Sequence, residues 1–326
     1  MAFLAAFIKR QFISYPPIPT TSFSGKTAIV TGSNVGLGLE ACRYLVRLGA
    51  SQIIIACRNT EKGEAAAKEI QASTSCPPDT LKVWQLDMSS YASVQAFADR
   101  AKAELPRLDI LLLNAGLGTM KFRMAEGLEE TINTNVVSLS LLAFLLHPKL
   151  HDTAVKHDSK THLTATGSEL YEVAKFAESK APDGQIFASL SDQSKANMLD
   201  RYNTSKLLLI FVIKQIAALA PLESSKVIVN CVGPGFCQSE LHRDYTNAAL
   251  RFLIKILARP TEVGSRTLVY GAGAGPETHG QYLPDCKITA TKGLTSGEAG
   301  TKLQNRVWVE LKQKLEVIRP GVTWLA

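Results

Sequence analysis

The chain has 326 residues, 46% of them hydrophobic and 20% charged, with a net charge of +7, enough apolar material for one large core or two modest ones. A mean hydropathy of +0.05 argues against a multi-span membrane protein, and Lys and Arg are interleaved with Asp and Glu rather than gathered into the basic runs of nucleic-acid binders, so no nucleic-acid partner is expected. Cys42, Cys57, Cys76, Cys231, Cys237 and Cys286 form no C-x-x-C pair and the six histidines show no ligand spacing, which predicts reduced thiols, a cytoplasmic protein and no metal.

Met1 to Ile8 is apolar and is followed by Lys9 and Arg10, the reverse of the order in a secretory signal. Such a segment is too short to span a bilayer. Two readings stay open: a short helix docked on the protein's own surface, or weak contact of residues 1–12 with a membrane surface, which would make the protein peripheral. Residues 15–24, with three prolines, form an irregular lead-in.

Thr27-Ala28-Ile29-Val30 reads as a short buried strand. Thr31-Gly32-Ser33-Asn34-Val35-Gly36-Leu37-Gly38 follows it, and Leu39 to Leu48 carries a helical apolar face (Leu39, Cys42, Leu45, Val46) stopped by Gly49. Strand, glycine-rich turn and helix form a unit that binds phosphate: glycines permit close backbone approach, and the helix N-terminus offers free N–H groups to a pyrophosphate. The spacing is G-x-x-x-G-x-G rather than the commoner G-x-G-x-x-G.

Beyond it, predicted strands at Ser51–Cys57, Leu81–Leu86, Leu108–Leu113, Thr161–Thr166 and Val227–Val232 alternate with helices at Glu61–Ala72, Tyr91–Glu104, Leu128–Leu146 and Asp200–Leu219. Leu128–Leu146 should end before Pro148. This alternation specifies a parallel sheet with right-handed crossovers. The expected fold is α/β: a single doubly wound Rossmann-type domain over residues 25–326, preceded by the lead-in 1–24, with a parallel sheet of about seven strands and helices on both faces. Gln238 to Pro260 reads as a helical insert (Leu241, Ala248, Leu250, Leu253 and Ile254 on one face) that would either cover a substrate or pack on a neighbouring helix. Thr301–Ile318 has the period of a late helix.

Within Asp200–Leu219 stands Tyr202-Asn-Thr-Ser-Lys206. Residues four apart share a helix face, and an ammonium beside a phenol favours the phenolate. Alone the pattern is weak. Together with the glycine loop it makes the chain resemble the short-chain dehydrogenase/reductase family, most closely its retinol-dehydrogenase-like and fungal branch. The resemblance runs from about Gly25 to about Leu283 and rests on motifs in family order: T-G-x-x-x-G-x-G at Thr31–Gly38, N-A-G at Asn114-Ala115-Gly116, Asn135 in T-N-V-V, Ser168 in T-G-S, Tyr202 to Lys206, and Pro234-Gly235.

The resemblance implies the following roles. Tyr202 is the general acid toward a carbonyl oxygen, and the base in the reverse direction. Lys206 tunes Tyr202 and bonds the nicotinamide ribose. Ser168 donates to the developing oxyanion, and Asn135 holds a water that links Lys206 to solvent. Thr31, Gly32, Asn34, Gly36, Leu37, Gly38, Asn114, Ala115, Gly116, Pro234 and Gly235 would line the cofactor. Asp87 would accept from the adenine amino group, its competing reading being the N-cap of the next helix. Cys57 occupies the position where NAD-preferring relatives carry an acid, and Arg58 follows it, which favours a 2′-phosphate and hence NADP(H). Ser239 stands where the family has a threonine beside the nicotinamide carboxamide. Leu113 replaces the first Asn of N-N-A-G, and the gap between Ser168 and Tyr202 is long, an insert expected to loop over the rim of the site.

The implied activity is hydride transfer between NADP(H) and a carbonyl or alcohol of a small molecule, in fungal members often a tailoring step in secondary metabolism. The alternative is a catalytically silent nucleotide-binding regulator or scaffold of the same fold. An epimerase or dehydratase is disfavoured by the glycine spacing. Dimers and tetramers are common in the family, so a homo-oligomer is an expectation too.

Overall fold

The computed structural model describes residues 11, 15–238 and 257–325. Seven parallel strands form the main sheet: β1 (Thr27–Thr31), β2 (Gln52–Cys57), β3 (Leu81–Gln85), β4 (Ile110–Leu113), β5 (Thr161–Thr166), β6 (Val227–Gly233) and β7 (Tyr282–Pro284), in the order 3-2-1-4-5-6-7. The register runs Ile29↔Ile54, Ile29↔Leu111, Leu111↔Leu163 and Leu163↔Val229. Strand order reverses beside β1, between β2 and β4. In an open parallel sheet that reversal opens a crevice at the carboxyl ends, where ligands bind.

Side chains alternate across each strand, and the two faces bury separate cores. Ile29, Ile54, Leu111, Leu163 and Val229 face α3 (Tyr91–Glu104), α4 (Glu130–Lys156), α5 (Met198–Leu219) and α7 (Gly297–Ile318). Val30, Ile53, Ile55 and Leu112 face α1 (Gly36–Arg47), α2 (Thr60–Thr74) and α6 (Thr261–Gly271). Each fully buried Leu or Ile contributes about 1.5–3 kcal/mol relative to exposure, so the sheet is fixed mainly by these two layers. α4 and α5 are long and apolar enough to cross a membrane, but their most apolar windows are 94% and 61% buried inside the protein. They are core helices, in keeping with the reading of Leu139–Leu146.

α4 departs from its predicted bounds at both ends. Leu128–Glu129 pairs with Met124–Ala125 in a short antiparallel hairpin, and the Glu129 carboxylate caps the helix by accepting from the N–H groups of Thr131 and Ile132 (3.0 and 3.1 Å). Asn133–Ser138 is a π-helical turn. The helix then runs through Pro148 to Lys156. A proline inside a helix costs about 3 kcal/mol. Here Leu150, Thr153 and Ala154 beyond it are buried, and that packing outweighs the lost hydrogen bond. The residue-level pattern also left α6 and β7 unplaced. α6 has glycines at 264 and 271 that blur its period, and β7 has three residues whose strand character comes from pairing with β6 (Val232↔Leu283).

The segment between Ser168 and Tyr202 is docked against the helices. Glu310 of α7 accepts from the N–H groups of Ile186 and Phe187 (3.0 Å each). Arg306 donates to Asp183, Ser179 O and Ala181 O (2.6, 2.8 and 2.6 Å). Asp200 accepts from the N–H groups of Lys175 and Phe176 (3.0 and 3.1 Å). The readings placed on residues 1–10, on Ser239 and on the apolar face of the 238–260 insert lie outside the described residues.

Candidate active site

Most of the predicted site residues gather at the carboxyl ends of β1, β4, β5 and β6. β1 delivers the glycine-rich turn. Gly32 has φ of 63°, and a Cβ there would sit 2.9 Å from Ala115 Cα, so only glycine lets this loop lie against the Asn114-Ala115-Gly116 turn. A Cβ at Gly38 would meet Gly32 O and the Asn114 amide nitrogen at 2.6 Å each. Gly36, at φ of 64°, has nothing within 4 Å of that position. Its glycine is needed for the backbone conformation, and the space beside it is open. The first turn of α1 holds no acidic residue, and its N-cap Val35 offers no side-chain bond. Free N–H groups, the positive end of the helix dipole and open space fit a pyrophosphate.

Asn114 locks this arrangement from β4. Its Nδ2 donates to Thr31 O and Gly32 O (3.0 and 3.2 Å), while Thr31 Oγ1 accepts from the N–H groups of Asn114 and Ala115 (2.9 Å each). Both residues thus hold the shape of the loop, a role beyond direct contact with a ligand.

At the end of β2 the Cys57 thiol is buried and donates to Asn59 O (3.2 Å), and burial pushes its pKa up. A Cβ on Gly63 would lie 2.7 Å from Cys57 Sγ, so the thiol turns under α2 and presents no charge. Arg58 is exposed beside it. Asp87, after β3, accepts from Ser89 N and Ser89 Oγ (2.9 and 2.7 Å). The N-cap role weighed for Asp87 falls to Ser90, whose hydroxyl accepts from Ser93 N (3.4 Å).

α5 carries Tyr202 half-buried and Lys206 fully buried. Lys206 Nζ lies 5.6 Å from the centre of the Tyr202 ring and donates to Thr166 O at the end of β5 (2.8 Å). Burial lowers the Lys206 pKa from 10.5 to about 8, so the ammonium persists at neutral pH. A Cβ on Gly116 would sit 3.5 Å from Asn135 Oδ1 and 3.7 Å from Lys206 Nζ, which puts the N-A-G turn, the π-turn asparagine and the lysine around one point. Asn135 Oδ1 accepts from Leu117 N (2.8 Å), and its Nδ2 donates to Leu117 O and Ser205 Oγ (2.8 and 3.0 Å). π-turns frequently mark functional sites.

Ser168 Oγ accepts from Leu170 N (3.3 Å), capping the short helix Glu169–Val173. The cap uses a lone pair and leaves the hydroxyl proton available to donate. Pro234 and Gly235 follow β6, with Gly235 at φ of 79°.

Thr166, Ser205 and Arg201 were missed from sequence. Arg201 is 1% exposed and pairs with Glu178 (3.1 Å) and Glu129 (3.6 Å), which ties the start of α5 to the start of α4. An arginine beside Tyr202 in an apolar helix was the available signal. Among the described residues no cluster of His, Cys, Asp or Glu could hold a metal.

Residues 26–168 match the family model for short chain dehydrogenases. The short chain dehydrogenase/reductase dmxR8 of Cryptosporiopsis sp. is 44% identical over 97% of this chain and 98% of that protein. The short chain dehydrogenase atnD of Emericella nidulans is 40% identical over 87% and 91%. Among solved structures, the Pseudomonas aeruginosa RhlG/NADP active-site complex superposes with a TM-score of 0.61 at 23% identity, covering 82% of this chain and 96% of that one. The oxidoreductase yciK from E. coli gives 0.61 at 22%, covering 84% and 99%. Near-complete coverage at this identity establishes the lineage: the chain belongs to the short-chain dehydrogenase/reductase family.

Proposed function

We propose that this oxidoreductase uses NADP(H) to interconvert a carbonyl and an alcohol on a small molecule, with Tyr202, Lys206, Ser168 and Asn135 as its catalytic residues. The observation that carries the reading is the Tyr202–Lys206 pair on α5, its lysine buried, charged at neutral pH and anchored to the end of β5. When bound, the nicotinamide supplies a hydride to the carbonyl carbon or takes one from the alcohol carbon. In reduction the Tyr202 hydroxyl gives its proton to the carbonyl oxygen, so one hydride and one proton make the alcohol. Ser168 donates a hydrogen bond to that oxygen as charge builds on it, a contribution of about 3 kcal/mol in comparable sites. Lys206 places positive charge beside the phenol, and Asn135, whose amide also holds the Leu117 segment bordering the lysine, would hold the water that links Lys206 to solvent.

The glycine loop and the N-terminus of α1 would take the pyrophosphate. The uncharged Cys57 and exposed Arg58 favour a 2′-phosphate over a free hydroxyl, and NADP is the cofactor in the RhlG complex. A tailoring step in secondary metabolism is the setting that the family resemblance suggests for such a reaction. The test is oxidation of NADPH and NADH by the purified chain with a panel of ketones, followed by nicotinamide absorbance. Ketone-dependent oxidation with NADPH preferred is the expected result. Tight NADPH binding with no turnover on any ketone or alcohol would instead favour a silent nucleotide-binding regulator.

A further inference from the structure

The turn that follows β6 is held from two sides by residues outside the span that the family model matches. Gln11 is 3% exposed. Its Nε2 donates to Phe236 O (2.8 Å) and to Leu257 O (2.6 Å). One carboxamide therefore joins the N-terminal lead-in to two backbone carbonyls 225 and 246 residues away in the chain. From the other side, Arg259 N donates to Phe236 O and Arg259 O accepts from Gln238 N (2.8 and 2.9 Å). The Arg259 guanidinium, 2% exposed, donates through Nη1 to Asp285 Oδ1 (2.6 Å) and Pro234 O (3.3 Å). A Cβ on Gly235 would lie 2.7 Å from that same Nη1, so the guanidinium packs flush on the turn.

The turn also abuts the glycine-rich loop. A Cβ on Gly264 of α6 would clash with Cys237 Sγ and lie 2.8 Å from Leu37 Cδ2, so the missing side chain lets α6 nestle between them. A movement of the turn would alter its spacing from the cofactor loop. Burying an arginine–aspartate pair carries a desolvation cost that hydrophobic residues would not. A geometric role for the pair accounts for its presence.

We propose that Gln11 and the Arg259–Asp285 pair are positioning residues that fix the Pro234–Cys237 turn at the nicotinamide end of the cofactor cleft. The proposal rests on the dinucleotide reading above. With the turn loosened, the ring loses its wall while the adenine end, built by β1, β2 and β3, keeps its contacts.

The test compares two ligands by fluorescence titration of the full chain: NADPH, and 2′-phospho-ADP-ribose, which lacks the nicotinamide. Gln11→Met keeps the side-chain length and removes both bonds. It should weaken NADPH about tenfold, the value of one to two hydrogen bonds, and leave 2′-phospho-ADP-ribose unchanged. Asp285→Asn should give the same pattern. Equal weakening of both ligands would reduce these residues to general structural ones, and unchanged NADPH binding in Gln11→Met would overturn the proposal while leaving the dinucleotide reading intact. Wild-type protein that binds neither ligand would overturn both.

Discussion

Lys206 shows how burial and chemistry meet in one side chain. Its ordinary pKa of 10.5 falls to about 8 because the ammonium has left water. Between about 8 and 10.5 the unfolded chain holds a proton that the folded chain has released, so stability rises with pH across that window, by about 3 kcal/mol in all. Below about 8 the charge is present. If the ammonium holds the ribose, NADPH binding weakens as pH climbs past about 8, and Lys206→Met removes that pH dependence. A fluorescence titration from pH 6 to about 10 checks this; a lysine acting only in packing leaves the wild-type curve flat. At the second strand, Arg58→Ala should weaken NADPH by about ten- to a hundredfold and leave NADH unchanged, because one charge-assisted contact to the 2′-phosphate is worth about 1.5–3 kcal/mol. Equal losses for both dinucleotides would remove that contact.

Legibility follows distance along the chain. The N-A-G turn was legible only through the family resemblance, whereas the Tyr202/Lys206 pair and the glycine loop could be read because each is local and its residue types are demanded by its own geometry. Gln11 could not, since its partner Leu257 lies 246 residues away and an isolated glutamine carries no pattern. Asp87 was half legible. Its place after β3 was right, but the capping role weighed for it went to Ser90, because Asp87 turns back onto Ser89.

At the scale of elements, α7 does more than close the chain. Its Glu310 caps the short helix at Ile186, and its Arg306 holds the loop before it. The late helix was visible as a period of Leu303, Val307, Leu311 and Leu315, but its acidic residue was not, because the pattern assigns charge to solvent. Glu310→Ala leaves two buried N–H groups without acceptors, and urea unfolding should show a loss of about 3 kcal/mol. A loss under about 0.5 kcal/mol would mean the segment between Ser168 and Tyr202 is held without the Glu310 cap, by its apolar contacts and its bonds to Arg306 and Asp200. α4 carries the opposite lesson. Pro148 was read as a stop by its local chemistry, and the buried residues beyond it extended the helix instead.

At the scale of the whole molecule, the parallel sheet with helices on both faces was anticipated from alternation, while the strand order was not, and β7 depended on a neighbour that no single segment reveals. Two histidines give this core a pH signature. His147 and His162 are buried, and burial lowers each from 6.5 to about 4. His162 Nε2 donates to Ala274 O (2.9 Å), a bond that favours the charged ring, and the larger effect of burial overrides it and keeps the ring neutral. As pH falls from about 6.5 to 4 the unfolded chain takes up protons that the folded chain refuses, and stability drops by about 3 kcal/mol per histidine. Thermal midpoints measured across that range should fall steeply, and less steeply in His162→Asn. A flat profile would mean that neither ring is neutral by burial.

The central claim is that a phenol on α5 delivers the proton during hydride transfer. It is tested by ketone-dependent oxidation of NADPH in wild-type protein and in Tyr202→Phe, with NADPH affinity measured alongside. The account predicts turnover in the wild type and a loss of about a hundredfold or more in the variant, at unchanged affinity for NADPH. A variant that turns over at close to the wild-type rate would contradict it.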